Sequence, residues 1–156
     1  MKKLLSIILA AGLLASISTT AFASEINQDT TSKTADVKIT TNIDPTYVVT
    51  IPESTAINFN ATSTALGTVK ATSMQIEANK KIVVLASADA FKNTSDASKT
   101  IAYKLMNGSA EFSSIDILTT ADKADLTVAI DKSAWDSAYA GAYSGVITFT
   151  LSYENA

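Results

Sequence analysis

The sequence predicts an all-β protein, an antiparallel β-sandwich of about eight to ten short strands, preceded by a signal peptide and a flexible leader. Two observations support this fold class. Short segments in which apolar and polar residues alternate recur along the chain, and turn-forming residues separate them. A strand built this way has one apolar face, which a second sheet has to cover.

The last alternating segment, residues 146–153, gives the clearest strand signal. Ile147, Phe149, Leu151 and Tyr153 share one face, and the residues between them are mostly polar. The turn former Gly145 precedes the segment, and its β-branched and aromatic residues favour an extended backbone. We therefore expect a long strand here with one apolar face.

The first residues of the chain have the pattern of a secretory signal peptide. Two lysines at positions 2 and 3 precede an apolar run over residues 4–15, and an A-x-A motif ends at Ala23. The run is too short to span a bilayer comfortably. We expect cleavage between Ala23 and Ser24, so that residues 1–23 are removed and the mature protein is secreted without a membrane segment.

The mature chain is then expected to begin with a flexible leader, residues 24–34, followed by a β-sandwich domain over residues 35–156. The leader is polar and has no apolar periodicity. Residues 35–43 alternate, and Asp44 and Pro45 end the segment as a turn. This candidate donor strand has one face made of Val37, Ile39, Thr41 and Ile43.

Further strands are expected between these two ends, together with one helical turn within residues 131–144. Asn107 and Gly108 give the strongest local turn signal, because both tolerate a positive φ. A change of alternation within residues 111–118 indicates either a bulge or two short strands. The predicted strands cover residues 46–51, 56–60, 71–78, 81–88, 101–106, 111–118 and 125–130. The predicted core includes Val49, Ile51, Ile76, Val83, Leu85, Tyr103, Leu105, Val128, Ile130, Ile147, Phe149 and Leu151.

The composition narrows the classes of function. Removal of the first 23 of 156 residues, two of them lysines, changes the net charge from −3 to −5. An acidic chain without arginine is not expected to bind nucleic acid. The chain has no histidine and no cysteine. These absences remove thiol catalysis, the Ser-His triad and most transition-metal sites, so we expect no enzyme activity, no cofactor and no metal site.

Two constellations each permit two interpretations. Trp135, Tyr139 and Tyr143 recur at a spacing of four; such a row can stack on sugars, or it can close the end of the sandwich with its hydroxyls on backbone groups. The closing role is favoured because Gly141 and Gly145 interrupt a helix.

Four aspartates are either Ca²⁺ ligands or a solvated acidic edge, and the edge is favoured because no calcium-loop pattern is present. They are Asp122, Asp125, Asp131 and Asp136.

A third constellation consists of Lys38, Glu77 and Asn155. A lysine, an asparagine and an acidic residue that meet in an apolar sandwich can form an isopeptide bond, because burial favours the neutral amine and the protonated carboxyl. The alternative is that all three face water. The alternation favours the alternative, since Lys38 lies on the polar face of its predicted strand.

With these residues in view, the chain resembles the small secreted matrix and pilin-like subunits of Gram-positive bacteria, especially clostridial biofilm fibre proteins. The resemblance lies in the leader, in DVKITTNIDPTYVVTIP and in AGAYSGVITFTLSY. It covers both ends of the chain well and the middle loosely. The G-x-Y-x-G turn that runs into an alternating strand also occurs in bacterial adhesin domains.

The resemblance implies an Ig-like sandwich that polymerises outside the cell, each subunit donating an N-terminal strand to the next. In some members of this group an isopeptide bond seals the joint. The implied partners are copies of the same chain, together with other matrix or surface proteins. The alternative is a monomeric secreted or cell-surface adhesin-type binding domain, whose first strand pairs with its own sheet.

Overall fold

The computed structural model describes residues 25–31 and 33–156 of the chain. The predicted signal peptide, with its cleavage point between Ala23 and Ser24, lies outside these residues. Pro45–Ala156 belongs to one compact unit, and residues 25–31 and 33–44 belong to a second. In the second unit, Asn27 and Thr30 bracket a turn, and the Lys33 ammonium donates to the carbonyl oxygen of Asn27 at 2.6 Å.

The all-β prediction is confirmed, since strands hold far more of the described residues than the one short helix does and every pairing between strands is antiparallel. In chain order the elements are β1 (Thr46–Thr50), β2 (Ser63–Gln75), β3 (Lys80–Ala88), β4 (Phe91–Asn93), β5 (Thr100–Ile101), β6 (Lys104–Asn107), β7 (Ala110–Glu111), β8 (Ser114–Ile117), β9 (Lys123–Ala129), α1 (Lys132–Asp136), β10 (Tyr143–Ser144) and β11 (Ile147–Asn155).

The strands form three sheets. The largest has the order β1-β2-β9-β6-β7, and the other two have the orders β11-β3-β8 and β10-β4-β5. The largest sheet and the β11-β3-β8 sheet share one apolar core, to which β1, β2, β6 and β9 contribute on one side and β3 and β8 on the other. The fully buried large side chains are Ile82, Ile101, Ile117, Leu126, Ile130, Val69 and Val84. This arrangement resembles a sandwich.

Several local predictions are confirmed. Gly108 has a φ of +61° in the turn that joins β6 to β7. The ambiguous segment 111–118 contains parts of two short strands, β7 and β8, and the connection after β9 contains the one-turn helix α1. Along β11 the side chains of Ile147, Phe149 and Leu151 are half-buried against the core, while the threonines between them are exposed.

Other local predictions are wrong. Residues 56–60 form no strand, and a positive φ of 63° at Asn60 belongs to a turn instead. Leu85 was expected in the core but is 48% exposed. The core face of β3 consists of Ile82, Val84 and Ala86, because side chains alternate across a strand. The continuous apolar run in β3 hid which of the two faces is buried.

Residues 33–45 lie outside every strand of the described chain. The candidate donor segment, 35–43, therefore forms no strand within its own molecule. Donation of this segment as a strand would involve a second copy of the chain, so its role as a donor stays a prediction.

The two faces of β3 give a test of this packing. We expect Ile82→Ala to lower the free energy of unfolding by about 2–5 kcal/mol, because it leaves a cavity at a fully buried position. Leu85→Ala, on the outer face, is expected to lower it by about 1 kcal/mol or less. Urea denaturation of both variants measures the difference, and equal losses would contradict the assignment of the faces.

Candidate functional site

One side of the molecule presents two unpaired strand edges. β11 pairs only with β3, and β1 pairs only with β2, among the residues that the structure describes. The rings of Tyr47 in β1 and Tyr153 in β11 lie 5.9 Å apart, between their centroids. The two edges are therefore neighbours on the same side. Unpaired edges expose backbone donors and acceptors that can bind a further strand.

The inward face of β11 is incompletely covered. Ile147, Phe149, Leu151 and Tyr153 pack against the core, yet each remains only half-buried. Their partial exposure follows from their position in an edge strand, which has a neighbour in the sheet on one side only. A strand added at this edge would bury apolar area that now contacts water.

A pocket of about 300 Å³ lies at the Ile147 end of β11. Its apolar wall includes Phe149 and Val128, and the segment that follows β1 provides Pro52 and Glu53 on the opposite side. A Cβ atom at Gly67 would lie 3.2 Å from the Cβ of Pro52, so the bulge in β2 allows that segment to pack closely. The pocket is thus a recess whose lining is part apolar and part polar.

Tyr103 also lines this pocket, and its hydroxyl oxygen is buried without a hydrogen-bond partner in the described structure. Its ring stacks on Phe91 with 4.5 Å between the centroids. Burial raises the pKa of the Tyr103 hydroxyl, and the charge of Asp89 raises it further. The hydroxyl is therefore a buried polar group that no described residue satisfies, although it can both donate and accept.

A polar cluster lies at the other end of β11. The Lys80 ammonium donates to Oδ1 of Asn155 at 2.8 Å and lies 5.7 Å from the centroid of the Tyr153 ring. The Tyr153 hydroxyl donates to the carboxylate of Glu77, and it accepts a hydrogen bond from the backbone N–H of Glu77 at 3.2 Å. Glu77 and Asn155, two of the three predicted isopeptide residues, are therefore both tied to this end of the strand.

Lys80 was missed by the sequence reasoning, although it is the amine that contacts Asn155. The two residues pair directly across β3 and β11, and only the register between those strands reveals this. Asn155 and Glu77 are exposed. Isopeptide chemistry needs a buried neutral amine, so the exposed Lys80–Asn155 contact is a hydrogen bond between strand ends. The role of Lys38 concerns a bond to another molecule and stays a prediction.

The predicted donor face is exposed to solvent. Val37 is 83% exposed, Ile39 is 90% exposed and Ile43 is 64% exposed. Thr41, the fourth member of that face, is exposed as well. The large apolar side chains of this sequence alternation are thus exposed, which is uncommon on a protein surface.

The aromatic constellation contacts backbone groups. The Trp135 indole N–H donates to the carbonyl oxygen of Ala61 at 2.9 Å, and the ring meets Phe59 edge to face. The Tyr143 hydroxyl donates to the carbonyl oxygen of Tyr139 at 3.0 Å. The Lys99 ammonium lies 4.7 Å from the centroid of the Tyr139 ring. Trp135 and Tyr143 pack against the core, in agreement with the closing role, whereas Tyr139 is 64% exposed and does not take part in it.

The aspartates are occupied by local hydrogen bonds. The Asp122 carboxylate accepts from the backbone N–H groups of Thr119 and Leu118, at 2.8 and 2.9 Å. These bonds, that from Thr119 first, hold the pKa of Asp122 below its ordinary value. Asp125 accepts from Lys123 and from Thr68, which lower its pKa likewise. No group of three or more potential metal ligands occurs among residues 25–31 and 33–156.

Comparison of the chain with protein-family models, with curated proteins and with solved structures gave no significant match. Within the ranges described, no helix has the length and apolar character needed to cross a bilayer. A function for this chain is therefore inferred from its residues and from the two edge strands.

The Asp122 hydrogen bonds predict a dependence of stability on pH. A carboxyl group whose pKa is lower in the folded state stabilises the fold above its ordinary pKa of about 4, and this contribution is lost as the pH falls through the folded value. We expect Asp122→Asn to lower the melting temperature at pH 7. Between pH 5 and pH 2 the variant should lose less stability than the wild type.

Thermal unfolding followed across this pH range measures both effects. Asp36→Asn is a suitable control, because it removes an exposed carboxylate at which the structure gives no hydrogen bond. Parallel pH profiles for the wild type and Asp122→Asn would show that these hydrogen bonds contribute nothing to stability.

Proposed function

We propose that this protein is a non-catalytic extracellular subunit that polymerises into biofilm-matrix or pilus-like fibres by donating its N-terminal strand. The observation that carries the proposal is the exposed apolar row of Val37, Ile39 and Ile43, which lies outside every strand of the described chain. The same molecule has a long unpaired edge in β11. One chain thus provides both a segment suited to pairing and an edge suited to receive it.

The energetics favour such an exchange. Burial of a Val or Ile side chain contributes about 1.5–3 kcal/mol relative to leaving it in water. Backbone hydrogen bonds along a strand edge add affinity, while alternate side chains fix the register. When residues 35–43 do not pair within their own chain, only a neighbouring molecule can provide this apolar burial and these backbone hydrogen bonds.

Export and fold class belong to the same proposal. The predicted signal peptide sends the chain out of the cell, to the matrix or cell surface of a Gram-positive bacterium. The sandwich is proposed to be Ig-like, as the resemblance to secreted matrix subunits implies. Its partners are copies of itself, together with other matrix or surface proteins.

The alternative is a monomeric adhesin-type domain in which residues 35–43 pair with an edge of their own molecule. The exposed β11 edge could also receive residues 35–43 of its own chain. Because this segment is covalently attached to the same molecule, its effective concentration at the edge is high. Size-exclusion chromatography of the mature protein separates the two functions. A series of increasing sizes supports the fibre subunit, and a single monomeric species supports the adhesin-type domain.

Removal of the donor segment tests polymerisation. We expect a chain that lacks residues 24–43 to fail to join a fibre as a donor, because its apolar row is gone. A peptide of residues 34–43 should then raise the melting temperature of the shortened chain, since a bound strand shifts the folding equilibrium by mass action. Calorimetry with increasing peptide measures this shift.

Two point variants sharpen this experiment. Ile39→Asp should act like the deletion, because a buried unpaired carboxylate is strongly unfavourable. Thr40→Asp, on the opposite face of the same segment, is the matched control and should assemble far better. If the shortened chain assembles like the wild type and the peptide changes nothing, strand donation is wrong.

A covalent joint is a separate prediction. The amine of Lys38 would attack the side-chain amide carbon of Asn155 in the neighbouring subunit, forming a C–N bond and releasing ammonia, with Glu77 transferring the proton. A covalent link between subunits is expected because the chain has no cysteine, so no disulfide can hold a donated strand in place. Boiled fibres of the wild type should then run as a ladder on a denaturing gel, and Lys38→Ala fibres as monomers.

Lys92→Ala is the control for this gel, because it removes an exposed lysine outside the donor segment. Wild-type fibres that run as monomers would exclude the bond. A ladder that survives Lys38→Ala would instead assign the bond to another lysine, with Lys33 the next residue to replace.

A further inference from the structure

The receiving strand and the donor segment have matching length and pattern. β11 covers nine residues, Ile147–Asn155, and the candidate donor segment 35–43 also covers nine. Each has one face made of alternate residues that are mostly apolar. β1, the other edge strand on this side, covers only five residues and contains an irregularity between Val48 and Val49. The longer regular edge of β11 is therefore the better acceptor.

The direction of pairing follows from the sheet and from its charges. Every pairing of the described strands is antiparallel, and antiparallel pairs are slightly more stable than parallel ones. Lys38 is the one basic residue of the segment 35–43. In β11 the acidic residue is Glu154, close to the end of the strand. A parallel strand would carry Lys38 towards the other end, among threonines.

The same charges select the register. An antiparallel strand centred on β11 would place Asp36 opposite Glu154, and like charges directly opposite each other are destabilising. A shift by two residues places Lys38 opposite Glu154 instead. The Glu154 carboxylate accepts a hydrogen bond from the Ser152 hydroxyl and acts on Lys81, across from it on β3, through its charge, but it forms no salt bridge in the described part of the chain. Lys81 is itself paired with Asp116, at 2.7 Å.

This register also determines which side chain reaches the pocket. With Lys38 opposite Glu154, Ile39 lies opposite Tyr153 and Ile43 lies opposite Phe149. Phe149 lines the pocket, and so does Ile147, the next inward residue of β11. Ile43 would enter the recess at that end, and Asp44 and Pro45 would then leave the sheet beside Ile147. The pocket would be filled by the last apolar residue before the turn.

From this match we infer that residues 37–43 of a second copy of this chain pair antiparallel with the free edge of β11, with Lys38 opposite Glu154 and with the Ile43 side chain in the pocket beside Phe149. The inference rests on the proposed function and specifies its acceptor strand, its direction and its register. In this register the Lys38 side chain lies on the outer face with Glu154, whereas Asn155 belongs to the opposite face, so the Lys38–Asn155 bond of the isopeptide prediction would require a different register.

Engineered disulfides test the direction, and the absence of natural cysteine makes the result simple to interpret. Asn42 and Thr150 lie opposite each other in the inferred pairing. One chain carrying Asn42→Cys is mixed with a second chain carrying Thr150→Cys, and the fibres are oxidised. We expect a disulfide between the two different chains on a non-reducing denaturing gel.

The matched control replaces Thr150→Cys by Glu154→Cys. The two positions lie about 13 Å apart along the strand, beyond the reach of one disulfide. We expect no disulfide with this partner, whereas a parallel strand would reverse the two results. Fibres with a disulfide at neither position would place the donor on another edge and overturn the inference. Electron microscopy of the reduced variants confirms that each still assembles.

Charge reversal tests the register independently. We expect Lys38→Glu to slow assembly about two- to fivefold, the effect typical of an exposed ion pair. Glu154→Lys in the accepting chain should restore the rate for Lys38→Glu donors, and Lys92→Glu should leave it unchanged. Absence of the rescue would contradict the Lys38–Glu154 pairing.

Failure of the proposed function and failure of the inferred pairing give different experimental results. If the wild-type protein never assembles, the proposed function falls and the inference falls with it. If fibres form but the disulfide appears with Glu154→Cys, strand donation stands and the inferred direction is wrong.

Discussion

The apolar core between the two larger sheets is the interaction on which the rest of this structure depends. The chain has no cysteine, so no disulfide ties its sheets together, and the ion pairs of its described residues lie at the surface. Ile82, Ile117 and Leu126 are among the buried residues that join one sheet to the other. Exposed ion pairs contribute little to stability. The edges, the pocket and the polar cluster keep their positions because this core positions the strands.

The sequence alone allowed the all-β class, the last strand and the turn at Gly108 to be predicted, because alternation and a requirement for positive φ are local signals. The buried face of β3 could not be predicted in the same way. Its residues 82–85 are all apolar, and only the opposing sheet decides that Ile82 and Val84 point inward while Leu85 does not. Local pattern is a poor guide where both faces of a strand are apolar.

In the candidate site, too, the sequence pattern predicts some features and not others. Its apolar residues follow from the alternation in β11, and the exposed row in residues 35–43 follows from a second alternation. The contact between Lys80 and Asn155 depends on how β3 and β11 align, and the pocket depends on the approach of Pro52 to Gly67. Both features join residues that are distant in sequence. A pattern of a few residues contains no information about such contacts.

The closeness of Tyr47 and Tyr153 has a mechanical consequence for a fibre of the proposed kind. Tension would enter each subunit at the start of β1 and leave it through the edge of β11, and these two strands are neighbours. The load would cross the subunit by a short path and largely spare β6 and β7. The β1–β2 ladder has five residue pairs with a shift in register, whereas β11 and β3 share nine in regular order. Under extension, β1 would be the first strand to yield.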